Sequence, residues 1–309
     1  MKNYIRSLRP VQLRLISQIA QLGKLGLAAN ACHMTVPTAS RMLSDLETNL
    51  GTALFERTAK GMRPSHLGRV LVRHANLISH EFDRMAQDFT MHQDGSGGVV
   101  SVGAVTGGAL SVVIPAALKM KESSPGIEVS LDVSSSSRLM WGLDRGAYDF
   151  ALCRLDTESA SRDFEVTRAR EERVLLMVNR DHPLRDRKNC SLGELAKFPW
   201  TMQDRGAPIR HAVEISFFDA GIELPTNVIE TSSVVAIMAL LRTSNIVAVV
   251  TQEVASLLLT PPFSADLYLI DMQTQIFIEP YHVVKPRGRI MSAAAEHLLE
   301  LIKAHFSDN

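Results

Sequence analysis

Apolar residues in the first ninety positions recur at helical spacing. Leu8, Leu15, Ile19 and Leu22 fall on one face of an amphipathic segment, with Arg9, Gln12, Arg14, Gln18, Gln21 and Lys24 interrupting it. Thr35 is a good helix N-cap and Pro37 sits in the first turn, where its missing N–H is not needed. A helix is therefore expected from near Val36 to about Leu50. Within it Ala39, Met42, Leu43, Leu46 and Leu50 make an inward stripe, leaving Thr38, Ser40, Arg41, Ser44 and Asp45 outward. Leu54-Phe55-Glu56-Arg57 and Met62-Arg63 read as short strands around Thr58-Ala59-Lys60-Gly61, with Gly61 supplying the turn. Ser65 then caps a long helix to about His92. Its Leu67, Leu71, His74, Ile78, Glu81 or Phe82, Met85 and Phe89 alternate at four and three, a heptad-like seam. Such a seam suits either a dimer contact or packing of the helix on its own domain.

Gln93 to Gly98 has the composition of a flexible junction and marks a domain boundary. Beyond it the period switches between two and 3.6. Strands are expected at Val99–Val105, Ile127–Val133, Phe150–Cys153, Arg173–Val178, Pro199–Met202, Val228–Glu230, Ile246–Val250, Tyr268–Ile270 and Ile276–Val284. Helices are expected at Ala109–Glu122, Ser137–Arg145, Ala207–Ala220, Ser233–Leu241 and Ser292–His305. This alternation predicts a parallel α/β sheet arranged as two lobes with a cleft between them.

Charge refines the division. The 309 residues have a formal net charge of zero, yet Met1–His92 carries a net of +6 and the remainder −6. A basic head on an acidic body points to phosphate binding confined to the N-terminal part, against the plain alternative of chance partition. Cys32, Cys153 and Cys190 are odd in number and far apart, which excludes a disulfide framework or zinc spacing and suits a reducing, cytoplasmic compartment. The polar interruptions before Ala28 exclude a secretory leader there, and no segment has the uninterrupted apolar length of a membrane span.

The chemistry follows from placement. A helix over Val36–Leu50 followed by a basic hairpin reads as a winged helix-turn-helix, whose first turns offer short polar groups and one Arg to a DNA groove. Arg57, Lys60 and Arg63 are placed to reach phosphates or a minor groove. Val102 to Ala109 follows a strand and opens a helix, but it has neither the Gly-x-Gly-x-x-Gly nor the Gly-Lys-Ser/Thr spacing, so no nucleotide cofactor is expected. The turn at Thr106-Gly107-Gly108 still presents N–H groups that suit an anion. Ser134–Ser137 and Thr231-Ser232-Ser233 occupy similar turns. Ligands bind at carboxyl ends of strands in open α/β sheets, although such residues also serve simply as caps. No elbow, His-Glu-x-x-His or His/Cys pairing calls for catalysis or a metal.

Together, Ala28-Ala29, Pro37, Ser40, Leu46-Glu47, Leu50-Gly51, Leu54-Phe55-Glu56-Arg57 and Gly68 resemble the LysR-type transcriptional regulator family. Pro125-Gly126-Ile127-Glu128-Val129, Gly146 to Leu152 and His182-Pro183-Leu184 extend the likeness over the whole chain. The family usually has Ser-Gln-Pro-Ala-Val-Ser where this chain has Thr35-Val36-Pro37-Thr38-Ala39-Ser40. Val36 lacks the bidentate hydrogen bonds Gln offers adenine and can touch a thymine methyl, so the operator is expected to depart from the family preference at that base.

The resemblance implies a winged helix-turn-helix at 1–64, a linker helix for dimerisation at 65–94 and, at 95–309, a two-lobed α/β effector domain resembling periplasmic binding proteins. Lobe I would comprise 98–162 and 268–309, and lobe II 163–267. It implies a homodimer or homotetramer that bends double-stranded promoter DNA, engages RNA polymerase and answers a small effector in the inter-lobe cleft, mostly as an activator. DNA contacts fall to Thr35, Val36, Pro37, Thr38, Ser40, Arg41, Arg57, Lys60 and Arg63. By position, Thr106, Gly107, Ser135, Ser136, Met202 and Ser232 are the pocket residues. Arg154 and Arg210 are available either to an anionic effector or to ion pairs of the protein itself. The rival reading is a solute-binding or enzymatic α/β protein with a helix-turn-helix-like head.

Overall fold

The computed structural model describes residues 2–58, 61–94, 97–155 and 163–307. The head begins with α1 (Lys2–Ile5), α2 (Pro10–Leu22), α3 (Leu25–Ala31) and α4 (Val36–Leu50). A hairpin of β1 (Phe55–Thr58) and β2 (Gly61–Pro64) follows, then the 29-residue α5 (His66–Asp94). Both expected ends of α4 are met: Thr35 Oγ1 accepts the Thr38 N–H at 3.4 Å, and Gly51 closes the helix at φ 68°. Gly23 ends α2 in the same left-handed conformation, φ 66°.

The head buries Leu15, Ile16 and Ile19 of α2, Ala28 and Ala29 of α3, Ala39, Leu43 and Leu46 of α4, and Val72 and Ala75 of α5. The paired alanines leave no side-chain bulk between α3 and its neighbours. Met42, expected inward, is only partly buried. The hairpin pairs Arg57 with Met62 and Thr58 with Gly61. It is docked by its backbone: the Met62 N–H donates to Gly23 O at 2.7 Å, and a Cβ at Gly61 (φ 125°) would overlap that same oxygen. Ser65 Oγ accepts the Gly68 N–H at 3.0 Å and donates to Ala53 O at 2.8 Å, joining the start of α5 to the turn before β1.

The second part contains β3 (Val99–Ala104), α6 (Thr106–Gly108), a π-helical turn (Ala109–Val113), α7 (Ile114–Ser123), β4 (Glu128–Val133), α8 (Ser136–Asp144) and β5 (Phe150–Cys153). There follow β6 (Phe164–Asn179), α9 (Leu192–Leu195), β7 (Trp200–Met202), α10 (Pro208–Asp219), β8 (Val228–Glu230) and α11 (Val234–Thr243). The chain ends with β9 (Val247–Thr251), α12 (Gln252–Leu259), β10 (Leu267–Leu269), β11 (Ile276–Pro286) and α13 (Ala293–Ser307). The strand order is β4-β3-β5-β11-β6-β9-β7-β8, with β10 on β6.

The sheet is mixed, which corrects the expectation of a parallel one. β3 with β5, β7 with β8 and β7 with β9 are parallel, whereas β11 pairs antiparallel with β5 and β6, and β6 antiparallel with β9 and β10. The physical reason is that β11 lies between β5 and β6 and runs antiparallel to both, so the long strands β6 (16 residues) and β11 (11 residues) pair across a connection that holds α9 to α12 instead of closing a strand-helix-strand unit. Along β6 the period of two holds. Val174, Leu176 and Val178 enter a core with Trp200, Val213, Phe217 and Val247. Met177 enters another with Ile237, Leu241, Val250 and Val254. Helices α9 and α12 were not expected from the sequence. The expected first lobe boundary, between 162 and 163, adjoins residues outside those described.

Candidate functional site

Helix α4 turns its polar surface outward because four aliphatic positions, Ala39, Leu43, Leu46 and Leu50, fix its other side in the core. At about 3.6 residues per turn, Val36, Pro37, Ser40, Arg41 and Ser44 share one face, and all five are exposed. Thr35 and Thr38 are exposed as well, but their hydroxyls lie 2.9 Å apart and serve the cap. Arg57 and Arg63 are exposed on the hairpin. The register pairs Arg57 with Met62 and Arg63 with Glu56, so the two arginines project from opposite faces instead of forming the single cluster the sequence suggested. Lys60 lies outside the described residues.

The α5 seam is open. Leu67, Ile78, Phe82, Met85 and Phe89 are 53, 43, 41, 59 and 68% exposed. With Ile5, Leu8 and Leu13 of the first segments, the part of the seam from Leu67 to Phe82 lines an apolar groove of about 510 Å³.

In the α/β part the structure brings Thr106-Gly107 and Ser135-Ser136 to the carboxyl ends of the neighbouring strands β3 and β4, beside Arg154 at the end of β5. Ser136 Oγ accepts the Arg154 N–H at 3.1 Å. Met202 and Ser232 form a separate group at the ends of the adjacent β7 and β8, where Met202 O accepts the Thr231 N–H at 2.8 Å. Met202 is buried and Ser232 exposed.

The first group holds chemistry that the sequence reading did not assemble. Arg154 pairs with Glu172 while its Nε donates to Glu279 O at 2.8 Å; the two side chains are 8% and 1% exposed. Burial pushes the guanidinium down to about 10, opposed by the nearby Tyr281 and Glu253, so it stays charged at neutral pH. A Cβ at Gly107 would overlap Glu172 Oε1 and lie 3.3 Å from Glu253 Oε2. Those two oxygens are buried without a hydrogen-bond partner among the described residues. The glycine turn expected to face an anion is therefore already met by a carboxylate of the protein. Glu172 sits in a charged run that reads as solvated, but its parity with Val174, Leu176 and Val178 is the signal that sends it inward. Arg210 resolves likewise as an ion pair: it binds Glu214 at 2.7 Å, Glu230 at 2.8 Å and Gln203 O at 3.1 Å. Among the described residues no cluster of three or more His, Cys, Asp or Glu is placed to hold a metal ion, and no helix is long and apolar enough to cross a membrane.

A winged helix-turn-helix with an exposed, Arg-bearing helix face, carried on one chain with a mixed α/β ligand-binding domain, defines a DNA-binding regulator of the effector-responsive class. Comparison with known proteins agrees. The family described as "Bacterial regulatory helix-turn-helix protein, lysR family" matches residues 10–69, and "LysR substrate binding domain" matches 93–307. The chain belongs to the LysR family and is a LysR-type transcriptional regulator. It is similar to the HTH-type transcriptional regulator GbpR of Rhizobium radiobacter, 34% identical over 79% of this chain and 81% of that protein. It is also similar to GbpR of Azospirillum brasilense, 27% identical over 94% and 85% respectively. Full-length CbnR, crystallised with its target DNA complex, shares the fold with a TM-score of 0.62 at 20% identity, over 96% of this chain and all of that one.

Proposed function

We propose that this regulator reads promoter DNA with α4 and grips the backbone with its wing. Thr35, Val36, Pro37, Thr38, Ser40 and Arg41 lie at the groove, and Arg57 and Arg63, on opposite faces of the hairpin, each reach a flanking phosphate strand; Lys60, outside the described residues, is proposed from the sequence as a further phosphate contact. The observation that carries this is the exposed face of α4, held outward by buried Ala39, Leu43, Leu46 and Leu50. The open α5 seam and its groove support a homodimer through the helix at 65–94, and pairs of dimers give a homotetramer on two half-sites. The working division is 1–64 for DNA, 65–94 for dimerisation and 95–309 for effector response.

A small-molecule effector in the cleft of the α/β domain shifts the assembly by binding one arrangement better than another. Thr106, Gly107, Ser135 and Ser136 with Arg154 offer one wall, and Met202 with Ser232 the other. An anionic effector reaches Arg154 only by displacing Glu172. The protein acts in the cytoplasm, in concert with RNA polymerase, and catalyses no reaction. The test is selection of fragmented genomic DNA on the purified full chain. Recovery of a dyad-symmetric site, with binding lost in Arg41→Ala plus Arg57→Ala and the fold intact, supports the reading. Unchanged DNA affinity in that double variant sinks the contact assignment.

A further inference from the structure

The first turn of α4 is chemically unusual for a surface that meets DNA, because it exposes an aliphatic side chain. Val36 is 45% exposed and is the only large aliphatic residue of α4 left exposed. The polar groups beside it are committed elsewhere: the Thr35 hydroxyl accepts the Thr38 N–H, and the two threonine hydroxyls lie within hydrogen-bond distance of each other. Pro37 has no N–H to offer. The leading edge of the helix thus presents methyl groups, while Ser40, Arg41 and Ser44 follow on the same face.

The valine side chain also has little rotational freedom. Its Cγ2 lies 3.9 Å from where a Cβ on Gly26 of α3 would stand, an ordinary van der Waals separation, so one methyl is turned towards α3. A β-branched side chain has few rotamers. A rigid methyl at the N-terminal turn of a recognition helix meets the base edges of the major groove, where the single apolar feature is the C5-methyl of thymine.

We infer that Val36 is a specificity-determining residue that selects thymine in each half-site through the C5-methyl group. The inference rests on the proposed DNA-binding role of α4. The contact is apolar, so it discriminates without strengthening phosphate binding, and it leaves the salt dependence of affinity unchanged.

The experiment replaces each thymine of the selected operator, one at a time, by deoxyuridine, which removes only the methyl. Affinity is measured for the wild-type full chain and for Val36→Ala. At one position per half-site the wild type is expected to lose about fourfold, the value of one buried methyl. Val36→Ala should bind thymine and uracil there equally, and Val36→Gln should shift selection at that base towards adenine. As Val36 is exposed, neither variant threatens the fold. Equal binding of thymine and uracil at every position by the wild type would overturn the assignment. So would a methyl dependence that persists in Val36→Ala, which would give the reading to another residue. Failure of the wild type to select any sequence removes the DNA-binding reading itself, and this inference falls with it.

Discussion

The Glu47 carboxylate accepts the backbone N–H of Leu54 at 2.7 Å, and the same oxygen accepts that of Phe55 at 3.2 Å. One side chain of α4 thereby holds the start of the wing, and the turn from 51 to 54 is fixed by a charged acceptor. Replacing it with alanine leaves two N–H groups unpaired, at a cost of about 1–3 kcal/mol. Glu47→Ala is expected to unfold at lower urea and to bind DNA more weakly, with Glu47→Gln intermediate because its amide oxygen keeps one acceptor. Equal urea midpoints for wild type and Glu47→Ala would count against this role.

Gly68 lies in the first turn of α5, where alanine would ordinarily favour the helix by about 1 kcal/mol. Here a Cβ would overlap Leu54 O and come 2.9 Å from Leu54 C. Gly68→Ala is therefore expected to destabilise the head by roughly 1–3 kcal/mol, because a backbone has to move. Thermal unfolding followed by circular dichroism checks the sign, and a stabilised variant would refute the packing argument.

The Arg154–Glu172 pair is buried on both sides. Removing Arg154 alone strands a carboxylate, at a cost of about 3–5 kcal/mol, whereas replacing both with apolar residues costs far less. Chemical denaturation of Arg154→Met, Glu172→Leu and the double variant forms a cycle. Additive losses across that cycle would show that the two charges are not coupled.

His182 supplies a pH dependence. The ring is 2% exposed, its Nδ1 accepts the Leu184 N–H at 3.1 Å, and its centroid lies 4.4 Å from that of Phe198. Desolvation lowers its proton affinity below the ordinary value, so the folded protein holds the neutral ring. The contribution is complete above the unfolded value of about 6.5 and drains away as pH falls through the lower folded value, since the unfolded chain takes the proton first. Urea midpoints from pH 8 to 5 should fall more steeply for the wild type than for His182→Gln. Parallel profiles would mean that another group sets the slope.

Phosphate contact makes the head salt-sensitive. With Arg41, Arg57 and Arg63 each displacing counterions, the logarithm of affinity should fall linearly with that of salt, and each Arg→Ala change should lower the slope by about one. Titration of operator DNA at several potassium chloride concentrations measures it. A flat response in the wild type would exclude these contacts.

The head was legible because local rules and tertiary demands agree there. Thr35, Pro37 and Gly51 mark the ends of α4, and the inward stripe needs no long-range partner to be recognised. The mixed sheet was less legible: strand direction is set by which strands pair across more than a hundred residues, as Val283 with Thr167. Helix α12 is hard to read from sequence because it has only eight residues and follows directly on the buried strand β9, too short a stretch for a period of 3.6 to stand apart from strand. Glu172 and Glu253 carry no signal in the sequence, because neither has a neighbour along the chain that announces the other. Only the fold brings both to Gly107.

The wing is seated through Gly23 O and the Met62 N–H, a contact made by main chain alone. Its position is thus insulated from the identity of the residues it displays. Arg57 and Arg63 can be exchanged to retune grip on DNA without shifting the hairpin, whereas Gly61, whose Cβ would strike that oxygen, cannot. Affinity and placement are in this way separate heritable traits within ten residues of chain.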